Sequence, residues 1–85
     1  MITDRAITFC LKNLTWRFNT PYQDAILDIK ERLNQYCSEN DDYKFYIEIM
    51  NVIELMEKIN NSSTILDITP YNAVLIIDLF FGENK

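Results

Sequence analysis

The sequence predicts an all-α fold, a compact bundle of about four helices in one small acidic domain spanning residues 1–85. Three observations carry this expectation. Four segments repeat their apolar residues at helical spacing. Each segment has a plausible start signal. The chain has 85 residues, 48% of them hydrophobic, which suits one hydrophobic core and excludes both two domains and a disordered chain. An α+β fold with a C-terminal β-hairpin is the competing architecture.

The first segment starts at Thr3, which can cap, with Asp4 in the first turn and Ile2 and Ile7 at staple spacing. Ile7, Leu11, Leu14 and Phe18 fall at steps of four, three and four and share one face, widened by Ala6 and Cys10. The second segment starts at Thr20-Pro21-Tyr22-Gln23, which reads as a capping box with proline in the first helical position. Tyr22, Ile26, Ile29, Leu33 and Tyr36 then form a seam for packing on another helix. This helix is expected to end near Ser38. Asn40 is expected to cap the third helix, with Asp41 and Asp42 complementing its dipole.

In the third segment Phe45, Ile49, Val52, Ile53, Met56 and Ile59 make a buried face. Residues 43–49 also alternate like a strand, but the 3.6-residue pattern continues well beyond them, so helix is preferred. The fourth segment follows Thr69-Pro70, a cap and a proline at N1, and is expected to end with Gly82 as its C′ residue. The hairpin alternative runs Thr64–Ile68 into Ala73–Phe81 through a turn at Pro70. Val74, Leu75, Ile76, Ile77, Leu79, Phe80 and Phe81 point in nearly every direction of a helix, so a small monomer has difficulty covering them all. Either the segment is a strand or a second chain covers part of it.

The composition removes much chemistry. There is no histidine, the commonest general base and metal ligand. A single glycine rules out a phosphate-cradling loop. Cys10 and Cys37 lack the spacing of a zinc site and read as buried thiols, with a disulfide as the alternative in an oxidising compartment. No catalytic residue, metal ligand or cofactor is expected, and an enzyme is the least favoured reading. The Asn13 and Asn60 glycosylation patterns read as chance matches. Residues 1–5 lack the basic start and apolar run of a signal peptide, and Ala73–Phe81 is about half the length of a bilayer span. The expectation is a cytoplasmic protein with no membrane partner.

The net charge is −5 and unevenly spread. Residues 39–57 hold six acids, Glu39, Asp41, Asp42, Glu48, Glu54 and Glu57, against Lys44 alone. The remaining chain balances seven acids with seven bases. This sign disfavours direct nucleic-acid binding and favours a basic protein surface. Asp24, Asp28 and Glu31 lie at helical spacing on the second segment and would enlarge the acidic surface.

The leading expectation is therefore a small inhibitor that covers the basic site of a nuclease or nucleic-acid-binding complex. Glu39, Asp41, Asp42, Glu48, Asp24 and Asp28 would steer encounter, with Tyr43 and Tyr46 as buried anchors. Size and charge are analogous to those of immunity proteins, antitoxins and phage-encoded anti-defence inhibitors, although no motif carries the analogy. The bland reading is that the acids only keep the chain in solution. The alternative function is a structural or adaptor subunit that forms a homodimer or joins a larger assembly. Its surface would include Trp16, Phe80 and Phe81. Trp16 falls on a second stripe with Arg5, Phe9 and Lys12, which is either an interface or a buried face with snorkelling bases.

Overall fold

The computed structural model describes residues 2–14, 20–62 and 68–83. They form four helices: α1 (Asp4–Lys12), α2 (Tyr22–Asn40), α3 (Tyr43–Ser62) and α4 (Pro70–Phe81). α3 packs against each of the other three, and α1 also packs on α4. Among the described residues no strand forms, and the one bridge is an isolated pairing of Ile2 with Gly82. The helical reading of residues 43–49 holds. The hairpin alternative fails, because Pro70–Phe81 is a helix, while residues 64–67 of its first strand lie outside the described residues.

The apolar stripes meet in one core. Ala6, Ile7, Cys10 and Leu14 from the first segment face Ile29 and Leu33 of α2, Ile49, Val52, Ile53 and Met56 of α3, and Val74 and Ile77 of α4 within a single buried cluster. No polar or charged residue is buried among the described residues. Each fully buried aliphatic side chain contributes about 1.5–3 kcal/mol by leaving water.

The helix ends correct several sequence expectations. α1 is capped as expected, with Thr3 Oγ1 accepting from the Ala6 N–H at 3.3 Å. It stops at Lys12, because the Asn13 side-chain amide donates back to the Phe9 carbonyl at 2.8 Å and the Leu14 N–H turns in to the Leu11 carbonyl. Asparagine competes for backbone partners in this way. Leu14 stays buried beyond the helix end, while Phe18 lies outside the described residues.

The Thr20 capping box does not form. Pro21 itself occupies the cap position, extended at φ −58° and ψ 149°, with no side-chain cap bond. α2 then runs two residues past Ser38. Ser38 and Asn40 donate to the carbonyls of Gln35 and Tyr36, at 2.8 and 2.9 Å, so they belong to the last turn rather than to a loop. Asp41 closes the helix in the left-handed region at φ 48°, a conformation that aspartate tolerates better than most residues. Asp42, not Asn40, caps α3, its Oδ1 accepting from the Phe45 N–H at 3.1 Å.

α4 starts as expected, with Thr69 Oγ1 accepting from the Asn72 N–H at 3.2 Å and Pro70 in the first turn. Gly82 ends it differently. Its backbone is extended, at φ −70° and ψ 159°, instead of left-handed. The glycine is needed for space, since a Cβ there would collide with the backbone carbonyl of Asp78. That close approach brings the C-terminal segment beside the N-terminal one, where the Ile2 N–H donates to the Phe81 carbonyl at 2.8 Å.

Candidate functional site

The α2–α3 corner gathers Glu39, Asp41, Asp42, Tyr43 and Tyr46 of the residues singled out in the sequence. Its base is an aromatic cluster built by three helices. Phe9 of α1 meets Phe45 of α3 edge-on at 5.3 Å and Tyr36 of α2 at 6.3 Å, and Tyr36 lies 5.1 Å from Phe45. Such pairs add about 0.5–1.5 kcal/mol each beyond their buried area. The Arg5 guanidinium lies over the Phe45 ring at 4.2 Å and pairs with Asp42. The second stripe of the first segment is thus half spent on packing: Phe9 is partly buried and Arg5 is tied to the corner, while Lys12 is exposed. Trp16 lies outside the described residues.

Two of the acids named from sequence serve the fold. Asp42 caps α3 through one carboxylate oxygen and holds Arg5 through the other. The guanidinium, and then the Phe45 N–H, hold this carboxyl below its ordinary pKa, and Asp42 in turn raises that of Arg5. Glu48 Oε1 accepts from the Thr3 N–H at the start of α1. From the other end of the chain, Glu83 Oε1 accepts from the Asp4 N–H at 2.8 Å. Two carboxylates from distant elements therefore satisfy the N–H groups at the α1 N-terminus and complement its dipole. Sequence reasoning missed this, because residues 45 and 79 positions apart meet only after folding.

The remaining acids divide by position. Glu39 and Asp41 are exposed at the corner, and Tyr43 and Tyr46 project beside them with near-parallel rings, 17° apart at 6.4 Å. These tyrosines, Cys37, Asp41 and Asp42 line a cleft of about 190 Å³. The Cys37 thiol, half-buried, donates to the Asp42 carbonyl at 3.9 Å. Asp24 and Asp28 lie toward the opposite end of α2, about 22 Å of helix from Glu39 to Asp24. Asp24 instead borders a groove of about 430 Å³ between α2 and the C-terminal end of α3, facing Lys30 and Glu57. One continuous acidic face does not form; there is an acidic corner and a separate mixed-charge groove.

A different surface comes from α4. Its inner residues Ala73, Val74 and Ile77 are fully buried, yet Leu75, Leu79, Phe80 and Phe81 remain 42%, 61%, 64% and 50% exposed. Leu75 and Leu79 are one turn apart on the outer side, while Phe80 and Phe81 lie at the C-terminal end of the helix and point in other directions. Sequence reading anticipated that this helix carries more apolar surface than one small core can absorb.

Both cysteines are free thiols, so the disulfide alternative does not apply. Cys10 is enclosed in the core, where burial pushes its pKa up to about 12. It is a neutral packing residue at physiological pH. Among the described residues no group of three His, Cys, Asp or Glu side chains is placed to hold a metal ion. No helix among them is long and apolar enough to cross a membrane. Comparison of the chain with protein-family models, curated proteins and solved structures finds no match.

Proposed function

We propose that this chain is a non-catalytic binding protein whose acidic α2–α3 corner covers a basic surface on a partner protein, as an inhibitor of a nuclease or nucleic-acid-binding complex would. The observation that carries the reading is the placement of exposed Asp41 on the Tyr43 and Tyr46 cleft, with exposed Glu39 in the last turn of α2 leading to it. Carboxylates at the rim speed encounter with a basic surface, and tyrosines supply rigid contact area at low entropic cost. Glu48 contributes field more than contact, since it is engaged within the fold, and the charge of Asp42 is offset by Arg5.

The test is retention of a basic partner by the tagged full chain from lysate of its source, washed at low and at high salt. The expected partner is released as salt rises, because surface charges are screened within about 10 Å at 0.1 M. Glu39→Lys with Asp41→Asn is expected to lose it even at low salt, without loss of helicity, since asparagine tolerates the left-handed backbone of residue 41. A partner held equally by this variant and at high salt would remove the acidic mechanism.

The exposed outer side of α4 favours a second reading, a structural or adaptor subunit that associates through apolar contact. There the acidic corner would serve only to keep the assembly in solution.

A further inference from the structure

The cleft between the end of α2 and the start of α3 combines two recognition elements. Its walls are aromatic, with Tyr43 73% exposed and its ring nearly parallel to that of Tyr46. Its rim carries the Asp41 carboxylate, which makes no hydrogen bond or ion pair among the described residues. Asp42 adds little to this charge, because its carboxylate is paired with the Arg5 guanidinium and accepts from the Phe45 N–H.

We propose that this cleft takes the guanidinium of an arginine side chain from the basic partner, stacked on the tyrosine rings and paired with Asp41. The proposal rests on the reading of the corner as a binding surface for a basic protein and names the side chain it selects. The same fold already shows this chemistry on the other side of Asp42, where the Arg5 guanidinium lies 4.2 Å from the Phe45 ring centre and pairs with Asp42. An arginine is planar and weakly hydrated, so it stacks on an aromatic face while donating to a carboxylate. A lysine ammonium is a compact, strongly hydrated charge that gains less from the rings. An anion is repelled by Asp41. An apolar side chain would strip water from that carboxylate without giving it a partner.

The probes are blocked hexa-arginine and hexa-lysine peptides, titrated at one salt concentration into the ¹⁵N-labelled full chain. The arginine peptide is expected to bind about two- to fivefold tighter, the range that a cation–π contact at an exposed site supplies. Its largest amide shifts should fall on Asp41, Tyr43 and Tyr46. Tyr43→Ala should abolish the preference for arginine while weakening lysine binding less, and Asp41→Asn should weaken arginine binding more than lysine binding. Both positions are exposed, and asparagine tolerates the left-handed backbone of residue 41, so both variants keep the fold. Equal affinity for the two peptides, or arginine-induced shifts centred on Asp24 and Glu57, would overturn the arginine cleft while leaving a general acidic surface intact. Failure of both peptides to bind would overturn the cleft and the acidic-corner reading together.

Discussion

Asp42 joins three helices through one side chain. It caps α3, holds Arg5 of α1 and leads directly out of α2. Because its folded pKa is depressed, chiefly by Arg5, the stabilisation it provides is complete above the unfolded value of about 3.9. It is lost as pH falls from there through the lower folded pKa. Asp42→Asn is therefore expected to reduce stability at neutral pH and to flatten the stability–pH curve below about pH 4. Urea midpoints of both proteins across that range check this, and identical acid slopes would contradict the assignment. Gly82 is the other single residue on which a junction depends. Its φ of −70° suits any residue, but an added Cβ meets the Asp78 carbonyl oxygen, a backbone atom that cannot swing away. Gly82→Ala should destabilise by about 1–3 kcal/mol through overpacking, seen as a lower denaturant midpoint. A neutral or stabilising effect would mean that the end of α4 shifts freely away from Ile2.

At the scale of the element, two similar sequence signals have different fates. Thr69-Pro70 caps α4 through the threonine hydroxyl, whereas Thr20-Pro21 leaves the threonine one position outside α2. Thr69→Ala should therefore cost about 1 kcal/mol, and Thr20→Ala should stay within about 0.5 kcal/mol. Equal losses from paired thermal melts would show that Thr20 caps after all. The stripes themselves were legible from sequence because burial repeats with the helical period, as at Phe45, Ile49, Val52, Ile53 and Met56. The ends were less legible. Whether Asn40 or Asp42 caps α3 depends on which residue the backbone turns at, and Asp41 sets this by entering the left-handed region. Side-chain hydrogen bonds from Ser38 and Asn40 to their own helix tip the balance toward two more helical residues.

For the whole molecule, the central position of α3 leaves α4 covered on one side only. Among the described residues Leu75, Leu79, Phe80 and Phe81 stay at least 42% exposed, so the bundle itself does not cover this part of α4. If association uses that surface, Leu79→Glu should lower the apparent mass at micromolar concentration while leaving the unfolding free energy of the monomer within about 0.5 kcal/mol of wild type. Equilibrium sedimentation of both proteins decides it. A wild-type chain that stays monomeric there would remove self-association and leave only a hetero-partner for the α4 surface.

The sequence by itself determined the faces that the first three helices bury, the Thr3 start and the surplus apolar surface of the last segment, and it favoured a fourth helix from Thr69 over a hairpin. These are local or periodic properties, written in spacings of three and four residues. Tertiary structure decided which charges remain available. Glu48 and Glu83 were drawn to the start of α1, and Asp42 to Arg5, by groups 37 to 79 residues away in sequence. Asp24 was separated from Glu39 by the length of one rigid helix. A count of charges along the chain records sign and density. The surface left for a partner depends on which carboxylates the fold first uses to satisfy its own donors, and that is set only when distant segments meet.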